Sequence, residues 1–261
     1  MEWWRSNNIS TRNNIISEVE KITDFNQINF NFNSDLIEEI DNKIDKKYIE
    51  KIQDLSVYDN SRSKLKIIFS SLHGTGITQI PNALNAFGFK NISSVRSQEL
   101  PDPEFSTVTS PNPEDLDALD LGIKKLKKEK ADILLATDPD SDRVGVALYD
   151  KEKIKILNGN QLASLIVYYS LKNLDINKLS KPPYVAKTIV TTRLIDEIAK
   201  DYGVKSYSTL TGFKYIAELI KNKNAEKFIA GGEESYGYLV NDFVRDKDAI
   251  ISCACICEIA N

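Results

Sequence analysis

Apolar residues recur along the chain in two spacings, one typical of helices and one typical of strands. The first 33 residues are polar and rich in asparagine, and apolar positions at Ile15, Ile16 and Val19 predict only a short helix there. The next region predicts an amphipathic helix over residues 34–55, with Ser34 as its N-cap. Its apolar stripe consists of Leu36, Ile37, Ile40, Ile44, Tyr48, Ile49, Ile52 and Leu55.

From residue 66 onward, short apolar runs alternate with stretches of helical periodicity. The runs predict strands over residues 66–72, 92–95, 132–137, 144–149, 184–190, 204–208 and 227–230. The periodic stretches predict helices over residues 78–87, 113–126, 160–171, 193–202, 213–220 and 248–259. Alternation of this kind predicts an α/β fold. Because the pattern starts afresh after residue 152, we predict two domains, residues 34–152 and 153–261, preceded by a tail or the remnant of another domain in residues 1–33.

The composition narrows the possible partners and location. A chain of 261 residues is long enough for about two domains. The net charge is -4 and the basic residues form no block, which argues against a nucleic-acid partner. No apolar run approaches the roughly 18 residues of a membrane span, and the N-terminus lacks the apolar core of a signal peptide. We therefore expect a cytoplasmic protein with no membrane partner.

The three cysteines, Cys253, Cys255 and Cys257, are clustered near the C-terminus. An odd, clustered set does not form a disulfide framework. A zinc site would need a fourth ligand, and the only histidine, His73, is distant in sequence. We interpret the cysteines as small buried residues of the last helix.

The first candidate site is the acidic loop, residues 138–143, with the sequence Asp-Pro-Asp-Ser-Asp-Arg. Three carboxylates at alternate positions directly after a strand repel one another unless a cation or several donors neutralise them. A hard divalent ion such as Mg²⁺ suits such oxygen ligands. A solvated acidic turn is the alternative. A calcium loop of the EF-hand type is excluded, because Arg143 stands where glycine is needed and Tyr149 where glutamate is needed.

The second candidate site is the glycine loop, residues 231–237, with the sequence Gly-Gly-Glu-Glu-Ser-Tyr-Gly. Its glycines allow close approach to a ligand, and its carboxylates and hydroxyl suit sugar hydroxyl groups. Taken alone, an exposed acidic turn is the simpler interpretation. The run Thr211-Gly212-Phe213-Lys214 before a predicted helix is likewise weak by itself.

Five runs together resemble the α-D-phosphohexomutase family, and they occur in the order found in that family. They cover residues 72–76, 111–114, 138–143, 211–214 and 231–249. The resemblance implies two consecutive α/β domains, each a mixed sheet flanked by helices, equivalent to the second and third of the family's four domains. For His73, in the first run, we favour a structural or interface role.

The resemblance also implies roles for individual residues. Asp138, Asp140 and Asp142 would hold Mg²⁺, and Arg143 would lie beside the catalytic phosphoserine. The residues expected to bind the phosphosugar are Glu233, Ser235, Thr211, Gly212, Arg245 and Lys247.

The implied activity is interconversion of hexose 1-phosphate and hexose 6-phosphate, for glucose or mannose, through a phosphoserine and a bisphosphate intermediate. We find neither the family's phosphoserine loop nor its final phosphate-binding loop in this sequence. The chain alone is therefore expected to be inactive and to need the family's first and fourth domains. A phosphopentomutase, a sugar-bisphosphate synthase and a non-catalytic module that binds metal or sugar phosphate are the alternatives.

Overall fold

The computed structural model describes residues 9–31, 33–40 and 42–261. It separates a compact unit, Asp45–Asn261, from a preceding unit that ends at Ile44. The strands are β1 Ile67–Ser70, β2 Ile92–Ser94, β3 Ile133–Thr137, β4 Val144–Asp150, β5 Lys153–Leu157, β6 Pro183–Thr188, β7 Lys205–Thr209, β8 Lys227–Gly232 and β9 Tyr238–Val240. The α-helices are α1 Ile9–Glu20, α2 Asn42–Gln53, α3 Ile80–Ala86, α4 Leu116–Glu129, α5 Gly159–Lys172, α6 Leu194–Asp201, α7 Phe213–Asn222 and α8 Ala249–Ala260.

The N-terminal region differs from the predicted single helix over residues 34–55. Ser34 does not cap that helix; it begins a short 3₁₀ turn, Ser34–Leu36, whose N-cap is Asn33. Residues 37–40 are not helical, residue 41 lies outside the described residues, and α2 begins at Asn42. Ile37 and Ile40 are 58% and 78% exposed, so burial of an apolar face does not stabilise a helix there. Residues 1–8 and 32 of the predicted 1–33 segment lie outside the described residues.

The first sheet has the strand order β2-β1-β3-β4-β5. Its β1 pairs in parallel with β2 and β3, whereas β4 runs antiparallel to both β3 and β5. The strand β5, which the sequence pattern did not predict, extends this sheet to Leu157 and thus past the predicted boundary at residue 152. The division into domains stays a prediction.

The second sheet has the strand order β7-β6-β8-β9. Its β6 pairs in parallel with β7 and β8, and β9 closes the sheet as an antiparallel edge strand. The prediction of an α/β fold with two consecutive mixed sheets is therefore confirmed. In both sheets, a loop between two antiparallel strands carries a candidate site: the acidic loop joins β3 to β4, and the glycine loop joins β8 to β9.

The last helix, α8, holds the two sheets together. It packs against α3 and α5 and contacts β4 of the first sheet and β9 of the second. The carboxylate of Asp248 caps its N-terminus, accepting hydrogen bonds from the backbone N–H groups of Ile250 and Ile251. The three cysteines of α8 are free and buried, which confirms their predicted structural role. Among the residues that the structure describes, none of the helices has the length and apolar character needed to cross a membrane.

Candidate functional site

Asp138 organises the acidic loop. Its side chain is buried, and Oδ1 accepts hydrogen bonds from the backbone N–H groups of Asp142 at 3.0 Å and Arg143 at 2.9 Å. Its second oxygen, Oδ2, accepts a hydrogen bond from Arg143 Nε at 2.8 Å. Burial raises the pKa of the Asp138 carboxyl to about 6, and the neighbouring Asp142 adds to the rise, while the donors on Arg143 oppose it.

The loop brings the three predicted metal ligands together. One oxygen from each of Asp138, Asp140 and Asp142 lies within 4.8 Å of the others, with Asp140 exposed and Asp142 half-buried. Oδ1 of Asp142 is buried and accepts no hydrogen bond from the described residues, although Arg143 Nε lies 3.5 Å away. Three converging carboxylates, one with an unsatisfied buried oxygen, fit a hard divalent cation.

Arg143 connects the acidic loop to its surroundings. Besides Asp138, its guanidinium contacts Glu114, with Nη1 3.3 Å from Oε1. Burial works to lower the pKa of Arg143, but Asp138 and the neighbouring carboxylates raise it above its ordinary value. Glu114 belongs to the Pro-Asn-Pro-Glu run, to which the sequence assigned no chemistry. The structure shows that this residue helps to orient Arg143.

In the glycine loop, the side chain of Glu233 is hydrogen-bonded to the turn at Thr211 and Gly212, which precedes α7. Its Oε1 accepts a hydrogen bond from the backbone N–H of Gly212 at 3.0 Å. Gly212 has a φ of 114°, a left-handed conformation that glycine adopts without strain. Burial raises the pKa of Glu233, against the hydrogen bond from Gly212. Two residues that were predicted separately to bind sugar are thus adjacent.

Glu234 is satisfied by neutral donors that sequence reasoning missed. Its Oε2 accepts hydrogen bonds from the hydroxyl groups of Thr188 at 3.1 Å and Thr191 at 2.8 Å. Lys187, also missed, is only 3% exposed and pairs with Asp196 at 3.3 Å. The signal in the sequence was a lysine and three threonines within six residues at the end of a strand, a pattern too common to single out.

Lys247 joins the two candidate loops. Its Nζ lies 2.8 Å from Oδ2 of Asp142 in the acidic loop and 5.5 Å from the centre of the Phe213 ring, next to Gly212. The backbones also meet, because the N–H of Val144 donates to the carbonyl of Tyr236 at 3.1 Å. The two loops therefore form one continuous site.

Three of the residues predicted to bind the phosphosugar make none of the contacts between the acidic loop and the glycine loop given above. Thr211 and Arg245 are exposed, and Ser235 is half-buried in the glycine loop. The buried ring of His73 contacts Leu100 O at 3.2 Å and Thr107 Oγ1 at 2.7 Å, which fits the structural role that we favour for it.

The sequence and the fold resemble those of known proteins. Residues 46–151 match a model of the phosphoglucomutase/phosphomannomutase alpha/beta/alpha domain II, and residues 158–261 match that of domain III. A Staphylococcus epidermidis phosphoglucomutase is 40% identical over 219 residues, which are 82% of this chain and 39% of that protein. A Mycoplasmoides pirum phosphomannomutase is 38% identical over 203 residues, 77% of this chain and 37% of that protein. The chain thus spans about two fifths of the length of these relatives.

The fold is shared with solved structures. A phosphoglucomutase/phosphomannomutase family protein from Burkholderia thailandensis superposes with a TM-score of 0.67 at 20% sequence identity, covering 83% of this chain and 43% of that chain. The acidic loop and the glycine loop lie one in each of the two matched segments. Because these two segments together make up most of the sequence, the chain belongs to the phosphoglucomutase/phosphomannomutase family.

Proposed function

We propose that this chain provides the metal-binding and sugar-binding parts of a phosphosugar mutase. Its reaction would interconvert hexose 1-phosphate and hexose 6-phosphate, with glucose and mannose as the sugars. The observation that carries the proposal is the junction of the two loops. The acidic loop brings three carboxylates together, the glycine loop presents Glu233 and Glu234, each held by its own hydrogen-bond donors, and Lys247 lies between the loops. The names of the relatives, phosphoglucomutase and phosphomannomutase, support the same reaction.

In this proposal the acidic loop prepares the phosphoryl group for transfer. Asp138, Asp140 and Asp142 would hold Mg²⁺, which when bound neutralises charge on the transferring group. Arg143, fixed by Asp138 and Glu114, presents a second positive charge beside that group. Positioning and charge neutralisation account for most of the catalysis in such reactions.

The glycine loop and its neighbours would orient the sugar. Glu233 and Ser235 have the acceptors that sugar hydroxyl groups need, and the backbone N–H of Gly212, next to Thr211, donates to Glu233. The positive charges of Lys247 and Arg245 suit the phosphate group of the sugar.

The transfer itself would use a phosphoserine from another part of the complete enzyme. The serine gives its phosphoryl group to the free hydroxyl of the sugar phosphate, forming a bisphosphate, and then takes the phosphoryl group from the other position. The net reaction moves the phosphate and regenerates the phosphoserine. By this proposal the chain alone is inactive.

A chimera tests the proposal. Residues 46–261 replace the corresponding segment of the Staphylococcus epidermidis phosphoglucomutase, and conversion of glucose 1-phosphate to glucose 6-phosphate is followed in a coupled assay. We expect an active, Mg²⁺-dependent chimera whose Asp140→Asn variant is at least about 100-fold slower. A chimera that folds, as judged by circular dichroism, yet is no faster than its Asp140→Asn variant contradicts the proposal. Mannose and ribose 1-phosphates as substrates then distinguish a hexose mutase from a pentose mutase.

A further inference from the structure

We propose that Lys247 is an exchangeable internal cation of the acidic loop. It neutralises Asp142 while no metal ion is bound, and it turns to the phosphate group of the sugar when a metal ion takes its place. Metal binding and phosphosugar binding would then strengthen each other. The inference rests on the proposed function and adds to it a coupling between the two ligands.

Lys247 and a metal ion compete for one carboxylate. Lys247 Nζ lies 2.8 Å from Oδ2 of Asp142, while Oδ1 of the same group has no hydrogen-bond partner among the described residues. Asp142 is also one of the three carboxylates that converge within 4.8 Å. A divalent ion that binds there meets an ammonium group at hydrogen-bonding distance from its ligand, and the two cations repel each other.

The surroundings restrict where the Lys247 ammonium group can move. The stem of the side chain packs on the glycine loop: a Cβ added at Gly237 would lie 2.2 Å from Lys247 Cδ. The residue is 19% exposed; a second carboxylate, that of Asp246, is 3.4 Å away and largely exposed, and the charge of Lys247 also acts on Glu233 in the glycine loop. Displaced from Asp142, the ammonium group stays over the Phe213 ring, at the edge of the glycine loop.

The displaced ammonium group needs a new anionic partner. Asp142 is the nearer of its two ion-pair partners, at 2.8 Å against 3.4 Å for Asp246, and the lysine side chain is only 19% exposed. Once a metal ion neutralises Asp142, this half-buried positive charge has lost its principal partner. A phosphate dianion beside the glycine loop is a ligand of the right charge to replace it.

Thermodynamic linkage converts this exchange into measurable effects. If metal binding frees Lys247 for the phosphate, then phosphate binding must raise metal affinity by the same factor. Removing the charge of Lys247 removes the competitor for Asp142, so metal affinity should rise. A lysine that served only to support the loop would give the opposite result, because its loss would weaken the metal site.

The decisive measurement is Mn²⁺ binding to the whole chain, followed by electron paramagnetic resonance. We expect Lys247→Gln to bind Mn²⁺ about tenfold more tightly than the wild type. The matched control is Lys155→Gln, which removes the same charge from a 2.7 Å ion pair with Asp150, away from the loops, and should change the affinity less than about twofold. Unchanged or weaker binding by Lys247→Gln, or no binding by either protein, overturns the proposal.

A second titration tests the phosphate side and separates this inference from the proposed mutase activity. Calorimetry with glucose 1-phosphate should show tighter binding to the wild type with Mn²⁺ than without it, and this enhancement should vanish in Lys247→Gln. A wild type without enhancement overturns the exchange even if the chimera is active. An inactive chimera together with tighter Mn²⁺ binding and lost enhancement in Lys247→Gln rejects the mutase and retains the exchange.

Discussion

The acidic loop and the glycine loop both concentrate carboxylates in a turn between antiparallel strands, but they neutralise them differently. In the acidic loop the partners include cationic side chains, since Arg143 pairs with Asp138 and Lys247 pairs with Asp142, besides the backbone N–H groups that donate to Asp138. In the glycine loop the hydrogen-bond donors are neutral: a backbone N–H donates to Glu233, and two threonine hydroxyl groups donate to Glu234. Side-chain cations therefore contact carboxylates of the first loop directly, whereas neutral groups donate to those of the second.

This difference suggests what each loop can exchange. A cationic side chain can give way to another cation, so the acidic loop should respond to divalent metal, pH and salt. Carboxylates whose hydrogen-bond donors are neutral hold no cation that a metal ion could replace, so metal affinity should depend little on the glycine loop. Substitutions in each loop test that contrast.

The largest effect should come from removing the exposed carboxylate of the acidic loop. We expect Asp140→Asn to weaken Mn²⁺ binding at least about 100-fold, because a charged oxygen ligand is lost. The matched change in the other loop, Glu233→Gln, keeps an oxygen that can accept from Gly212 and should leave Mn²⁺ affinity within about twofold. Titration followed by electron paramagnetic resonance measures both.

The free energy of unfolding of Asp140→Asn and Glu233→Gln serves as the control for their metal affinities. Asp140 is exposed, so its replacement should alter the free energy of unfolding by less than about 0.5 kcal/mol. An equal loss of Mn²⁺ affinity in both variants would mean that the two loops do not differ as described.

The acidic loop was also the part of the site that the sequence specified best. Its three carboxylates are local in sequence, and the flanking strands β3 and β4 are buried apolar runs, so both the turn and the cluster follow from adjacent residues. The glycine loop was recognised only by resemblance to a family. Its donors come from Gly212, Thr188 and Thr191, which no spacing within the loop reveals.

The errors in the predicted strands and helices also arise where burial of apolar residues is weak or short in extent. The strand β5 has only partly buried or exposed residues, and β9 is three residues long, so neither gives a clear apolar run. The helix predicted from Ser34 followed an apolar periodicity at Ile37 and Ile40, but those side chains are exposed in the structure. Apolar periodicity predicts a helix reliably only where the apolar face is buried against other parts of the protein.

Each loop is packed closely against one glycine, so that an alanine substitution should displace one loop at a time. A Cβ added at Gly74 would lie 2.3 Å from Pro139 Cα in the acidic loop, and one at Gly159 would lie 1.7 Å from the Glu234 carbonyl oxygen in the glycine loop. Each alanine substitution should therefore cost about 1–3 kcal/mol in urea unfolding. Only Gly74→Ala should also weaken Mn²⁺ binding, because only it displaces the metal ligands. Weaker metal binding in Gly159→Ala would show that the loops move as one body.

The pH dependence of stability should reveal the buried carboxyl of the acidic loop. Burial raises the pKa of Asp138 from 3.8 to about 6, so the folded chain holds a proton that the unfolded chain releases between these values. The resulting stabilisation is fully present below about pH 4 and is lost as the pH rises through about 6. In EDTA, the unfolding free energy of the wild type minus that of Asp138→Asn should fall by no more than about 2 kcal/mol from pH 4 to pH 7. A difference that rises with pH would contradict the direction of the shift.

The smallest effect should come from the neutral donors of the glycine loop. Thr191 is buried, and its hydroxyl donates to Glu234 Oε2 at 2.8 Å and accepts from the Glu234 N–H at 3.2 Å. Thr191→Val should cost about 1 kcal/mol, because Thr188 still donates to the same carboxylate oxygen. Thr191→Ser retains the hydroxyl and is the matched control in urea unfolding. Mn²⁺ affinity should be unchanged in both variants, since no charge of the acidic loop is altered; a loss of metal binding in Thr191→Val alone would show that these hydrogen bonds also support the metal site.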